Sequence, residues 1–209
     1  MKQATKAILS PWLVILIGFL ISFLFNHLIG EWAFIPLAIV YWGAIARIVR
    51  VDKEKIKRAF QSSEQHGKYS FFAYIPCLFC IIAFVWGLQY ITLSPTLIML
   101  TLLFIVVNPI AEELYWRKYL LDNLTWKNWV KVLYSTVLFM ASHPLMWGVF
   151  SVTIRSTIMV VPLFIMGIIW SIVYIKTKTL CHCIIAHALV DMLNLSIWVF
   201  LNIYVPPVV

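Results

Sequence analysis

Seven apolar runs, each close to the length that crosses a bilayer, dominate this chain: about 11–29, 32–48, 71–91, 95–121, 130–147, 157–175 and 180–202. A helix needs about 20 predominantly apolar residues to span the hydrocarbon core. The expected fold class is therefore all-α, a polytopic membrane protein of about seven transmembrane helices. Composition agrees, with 63% hydrophobic and only 11% charged residues, where soluble domains are nearer half apolar and a quarter charged. The first run follows Lys2 and Lys6 as a signal peptide would. It lacks a small-residue cleavage site and reads as an uncleaved anchor.

The charges give the expected orientation. With the N-terminus in the cytosol and the spans alternating, only Arg155 of the sixteen basic residues falls outside. That is a strong positive-inside pattern. It favours an odd number of spans and places the tail, 204–209, outside. The net charge of +8 thus reports topology and is no nucleic-acid footprint. Trp12, Trp32, Trp126, Trp129 and Trp147 lie near the predicted membrane edges, where indole rings favour the headgroup region. The chain reads as one membrane-embedded domain over 1–209, multi-pass in the cell membrane. Its small size suits a bacterial inner membrane.

No internal repeat or low-complexity segment stands out. The one sizeable loop, about 49–70, sets Ile56, Ala59 and Phe60 at helical spacing among Lys53, Lys55, Lys57 and Arg58. This fits a short helix on anionic lipid, or more simply a basic loop that fixes topology. Cys77/Cys80 and Cys181/Cys183, with His182, have the makings of a zinc site. Packing as small apolar residues is the simpler reading.

The fourth run ends in Asn108-Pro109-Ile110-Ala111-Glu112-Glu113-Leu114-Tyr115-Trp116-Arg117. An acidic residue near a membrane helix centre costs roughly 2.5–3.5 kcal/mol on insertion scales, and the default reading of one is a functional site with a partner. Glu113 and Arg117 are four apart, share a helix face and can pair. Glu112 points elsewhere and is left available for chemistry. Three further ionisable residues lie in later apolar runs: His143, His187 and Asp191. Phe139 is four before His143, so its ring can pack under the imidazole. Asp191 is four after His187, and can fix its tautomer or stand beside it facing a common substrate. Helical rise places His143 deeper than Glu112 and His187. A break at Pro144 would let the connecting loop sit lower and reduce that mismatch. His27, His66 and His182 have no such company and are assigned no role.

These residues also carry a family resemblance. Glu112-Glu113-Leu114-Tyr115-Trp116-Arg117 fits E-E-x-x-x-R, Phe139 to His143 fits F-x-x-x-H, and His187 to Asp191 fits H-x-x-x-N/D. In this order the chain resembles, over about 95–202, the CPBP family of intramembrane proteases. That family holds type II CAAX prenyl endopeptidases and bacteriocin-processing and Abi proteins. The resemblance implies that Glu112 is the general base that activates water and that His143 holds or polarises the water. His187 and the residue at 191 would stabilise the oxyanion. Glu113, Arg117 and Phe139 would be structural support. Amide hydrolysis needs such a base and donors aimed at the developing charge.

The departure is Asp191, where the prenyl endopeptidases usually have Asn. An ionised Asp cannot donate a hydrogen bond, so it is protonated, orients His187, or binds metal. Two histidines with carboxylates would also suit a catalytic zinc; the expectation is a glutamic-type enzyme with no metal.

The function expected is an endopeptidase, open toward the cytosolic leaflet, cutting near a membrane-anchored end of a protein or peptide. A lipidated C-terminus, a leader or an anchoring tail would qualify as substrate. The alternatives are a proton-coupled transporter, which would favour internal repeats, and a non-catalytic binding or immunity protein on the same scaffold.

Overall fold

The computed structural model describes residues 3–61 and 67–206, and its regular elements there are all helical. Helix α1 (Gln3–Ile29) reverses through a 3₁₀ turn into α2 (Phe34–Val49). The reversal needs Gly30, whose φ of 60° is unfavourable for a side chain. Gln3 and Lys6 border the same cleft as Ile48 and Val49, so the two helices are antiparallel. The short α3 (Lys53–Ala59) starts at Asp52, whose carboxylate accepts the Lys55 backbone N–H at 2.8 Å. Its Ile56 and the following Phe60 are exposed. His66 lies outside the described residues.

Helix α4 (Gly67–Ser70) runs through a 3₁₀ turn into α5 (Ile75–Gly87). Then α6 (Pro95–Glu112) widens into a π-helix, Glu113–Tyr119, and ends as α7 (Leu120–Asn123). Helix α8 (Asn128–Met146) and α9 (Val160–Thr177) follow, then α10 (Cys181–Leu193) and α11 (Ser196–Phe200).

Five stretches are long and apolar enough to cross a membrane: Gln3–Val49, Lys68–Gly87, Pro95–Asn123, Asn128–Val149 and Thr157–Thr177. The first holds the antiparallel pair α1 and α2, so these five account for six of the expected runs. The seventh run, 180–202, is not one long helix. Its α10 has 13 residues, about 20 Å at 1.5 Å per residue, short of a core about 30 Å thick. Leu195 then takes a left-handed φ of 54° and turns the chain into the buried α11.

Outward faces are apolar, with Leu13, Leu16 and Leu20 on α1, Phe79 and Ile82 on α5, and Leu102 and Val106 on α6 all exposed. Asn108, Glu112, Glu113, Arg117, Ser135, Thr136 and His187 are buried. Apolar outside and polar inside is the pattern of a chain solvated by lipid tails. Helix α8 lies close against α9: a Cβ on Gly167 would sit 2.8 Å from Thr136 Cγ2 and 3.2 Å from Thr136 Cα. Small residues allow such approach where helices pack by van der Waals contact.

The two ends of the bundle differ in charge. At one end Lys6, Arg50, Lys55, Lys118 and Asp122 border one cleft. Lys118 and Lys178 lie 3.5 and 3.8 Å from Asp122 carboxylate oxygens, and Tyr174 donates to Asp122 at 2.6 Å. At the other end the Asn202 amide accepts from Val152 N at 2.9 Å and donates to Phe150 O at 2.8 Å and to Glu31 Oε1 at 3.4 Å.

Candidate active site

The sequence places Pro109 four residues before the point where α6 opens into its π-helix. Single π-turns in helices recur at functional sites. Here the π-turn holds Glu113, Leu114, Tyr115, Trp116 and Arg117 wholly inside the protein. Its Trp116 carbonyl accepts from the Ser135 hydroxyl of α8.

Glu113 is gripped from two sides. Its Oε2 lies 3.3 Å from Arg117 Nε, both side chains fully buried. Its Oε1 lies 2.9 Å from His187 Nδ1. The Arg117 guanidinium sits 4.2 Å from the Phe139 ring centre and 5.4 Å from that of Trp170. Trp170 in turn stacks on His187 at 4.7 Å. A carboxylate paired with Arg117 accepts hydrogen bonds only, so Nδ1 of His187 carries the proton. The tautomer is therefore fixed by Glu113. Asp191 does not do this, because its Oδ1 is 3.8 Å from His187 Nε2, beyond hydrogen-bond reach. Asp191 Oδ2 instead accepts from Asn108 Nδ2 at 3.2 Å. Asn108 Oδ1 accepts from Trp42 Nε1 at 3.1 Å, which sets the orientation of the amide.

Glu112 is 1% exposed. Its Oε1 accepts from the Tyr41 hydroxyl at 2.8 Å, and that hydroxyl accepts from Trp116 Nε1 at 2.8 Å. Its Oε2 has no hydrogen bond among the described residues and lies 3.5 Å from His187 Nε2. His143 Nδ1 lies 2.8 Å from the Phe139 carbonyl. A carbonyl only accepts, so Nδ1 is the donor and the neutral ring leaves Nε2 as an acceptor. The imidazole packs on Phe139 at 4.7 Å. Helix α8 does not break at Pro144 but continues to Met146.

Glu112, His143, His187, Asp191, Asn108 and Phe139 line one cavity of about 310 Å³. The mismatch in depth expected from helical rise does not separate them. The direction of the cavity differs from expectation. It does not run toward the basic end but reaches Val152, Ile158 and Val205, past apolar walls that include Trp147, Leu163 and Phe200.

Among the described residues no three His, Cys, Asp or Glu side chains converge to hold a metal. Cys77 Sγ donates to Ala186 O at 3.4 Å and Cys183 Sγ to Trp170 O at 3.6 Å, each bonded within the packing. His182 Nδ1 lies 3.0 Å from the Tyr74 hydroxyl.

Four site residues were missed from sequence. Asn108 had a readable signal, a polar residue four before Glu112 in an apolar run. Tyr41, Trp42 and Trp116 had none, since aromatic residues are common throughout these runs.

A multi-pass helical membrane protein with carboxylates and imidazoles at the inner end of an apolar cavity holds the groups that hydrolysis inside a membrane would need. The particular family follows from comparison. Residues 93–193 match the family described as type II CAAX prenyl endopeptidase Rce1-like, and over that stretch the chain is similar to it. The match contains Glu112, His143, His187 and Asp191, and agrees with the CPBP resemblance of the motifs. No curated protein and no solved structure matches the chain.

Proposed function

We propose that this protein is a glutamic-type intramembrane endopeptidase of the cell membrane, cutting a peptide bond near a membrane-anchored end of a protein or peptide. The observation that carries the reading is the division of labour on Glu112. One oxygen is held by Tyr41, while the other faces His187 without a hydrogen bond, inside the cavity shared with His143 and Asp191.

In this reading Glu112 Oε2 takes a proton from water, while His143 Nε2 accepts a hydrogen bond from the remaining O–H and so orients the lone pair. The water oxygen bonds to the scissile carbonyl carbon. His187 Nε2, when protonated, donates to the resulting oxyanion, as does Asp191 when it carries a proton. The proton on Glu112 then passes to the amide nitrogen as the C–N bond breaks, leaving a carboxylate and an amine. No metal takes part.

Purified protein in lipid should cleave members of a membrane-anchored peptide library, and Glu112→Gln should abolish turnover while folding normally, because the shape is kept and the base is lost. A strong chelator should leave the rate unchanged. Normal turnover in Glu112→Gln would sink the assignment. Stoichiometric zinc, lost together with activity in Asp191→Asn, would replace it with a metalloprotease.

A further inference from the structure

We propose that the cleft at the basic end of the bundle is a binding site for the phosphate headgroup of an anionic lipid, in the leaflet which that end faces. The cleft, of about 340 Å³, lies between the start of α1, the end of α2, α3, and the π-helix with α7. It shares no lining residue with the Glu112 cavity, so the inference stands apart from the proposed chemistry.

Charge is the first argument. Four cations border the cleft, Lys6, Arg50, Lys55 and Lys118, against one carboxylate, Asp122. That carboxylate is already engaged, with Lys118 at 3.5 Å, Lys178 at 3.8 Å and the Tyr174 hydroxyl donating at 2.6 Å. Lys6 and Arg50 are left without an ion pair among the described residues. Lys55 is fixed by the end of α2, where its ammonium donates to Val49 O and Arg50 O at 2.7 Å each. An ammonium has three donors, so one N–H remains for a ligand. Backbone geometry points the same way. Arg50 caps α2 with φ 54° and ψ 59°, a left-handed conformation that helix ends usually give to Gly or Asn. Strained backbone of this kind collects where a side chain has a ligand to hold. A guanidinium there can meet phosphate oxygens through two parallel N–H bonds.

The surroundings favour a lipid over a free phosphate. Leu9 and Leu13 follow Lys6 by three and seven residues, which puts them on its face of α1, and both are exposed. An apolar track therefore leads from Lys6 along the helix toward the bilayer centre, where acyl chains lie beneath a headgroup. Trp12, on the same stretch, is exposed as well, and indole rings favour the headgroup level. On the other side of the cleft, α3 and the Phe60 that follows it are amphipathic. Ile56 and Phe60 are exposed among Lys53, Lys57 and Arg58, the pattern of a helix that lies in an anionic headgroup layer.

The test follows thermal unfolding of the full chain in neutral-detergent micelles as phosphatidylglycerol is mixed in. The midpoint should rise and saturate, and neither phosphatidylcholine of the same chain length nor inorganic phosphate should reproduce the rise. Removing one cation near a membrane surface weakens attraction to anionic lipid about fivefold. Lys6→Gln should therefore raise the half-saturating fraction of phosphatidylglycerol about fivefold. Arg50→Asn should do the same, yet unfold no earlier than the parent without lipid, because Asn accepts the left-handed conformation. Lys127→Gln removes a basic residue outside the cleft and should leave the titration unchanged. An equal rise with phosphatidylcholine would overturn the need for charge, and an equal rise with inorganic phosphate would overturn the lipid. A loss in Lys127→Gln as large as in Lys6→Gln would reduce the effect to the overall field of the basic loops and overturn the cleft as a site. If Arg50→Asn unfolded early without lipid, Arg50 would belong to the fold and Lys6→Gln would decide alone. An unchanged titration in Lys6→Gln would overturn the proposal.

Discussion

Glu113 and Glu112 are adjacent in sequence yet face opposite demands. Glu113 neutralises Arg117 at 3.3 Å and fixes His187 at 2.9 Å, so Glu113→Gln leaves a buried guanidinium without its counter-charge. Breaking one side of a buried pair costs roughly 3–5 kcal/mol. The expected result is a large loss of folded protein, read as monodisperse yield in detergent, whereas Glu112→Gln keeps its yield. Comparable yields would mean that Arg117 is neutralised elsewhere. Tyr41 hydrogen-bonds Glu112 and Trp116 and meets Trp147 edge-on, so in the proposed mechanism it acts by positioning Glu112. Tyr41→Phe keeps the ring but removes the donor that orients the base. Misplacement of a catalytic group by about 1 Å can cost about a hundredfold in rate. The prediction is therefore a fall in kcat of about tenfold to a hundredfold with KM little changed, and an unchanged kcat would show that Glu112 is held without it. The pairing of Glu113 with Arg117 was legible from spacing alone. The orienter of His187 was not, because helical spacing shows which residues can meet on one helix and is silent on partners from another.

Elements, too, were legible to the degree that one helix decides its own form. Six apolar runs became helices near the expected places, because length and hydropathy suffice for that. The seventh failed through one backbone conformation, Leu195 in the left-handed region, which no apolar pattern encodes. The π-turn at Glu113–Tyr119 was likewise invisible, since it changes the register of side chains without changing their composition. Helix α8 brings His143 to the site, and its seat against α9 depends on Gly167. A methyl there would lie 2.8 Å from the side chain and 3.2 Å from the backbone of Thr136, neither of which can swing aside freely. Gly167→Ala should destabilise the protein by about 1–3 kcal/mol, seen as a lower midpoint of unfolding in detergent. It should also reduce turnover by shifting His143. A variant as stable and as active as the parent would mean that α8 and α9 have room to separate.

The working molecule is larger than the stretch that matches the family. Residues 93–193 contain the ionisable groups, but Tyr41 and Trp42 come from α2 before it, and α11 closes the cavity from after it. Phe200 stacks on Trp147 at 4.9 Å and meets Phe104 edge-on at 5.3 Å, while Trp198 donates to Thr92 O at 3.2 Å. In lipid a terminal segment gains little from hiding apolar rings, because the tails are as apolar as the core. What holds α11 in place is therefore packing and aromatic geometry, worth about 0.5–1.5 kcal/mol per well-placed pair beyond area burial. Phe200 is 5% exposed and lines the cavity, so its removal opens a void beside the site. Phe200→Ala should lower stability by about 3–5 kcal/mol if the void stays open, and by less if Trp147 and Phe104 collapse into it. Phe200→Leu, which keeps most of the volume, should restore most of the loss. Chemical unfolding in mixed micelles measures both. If Phe200→Ala matched the parent in stability and rate, α11 would be a passive tail, and the site would be complete within the matched stretch and α2.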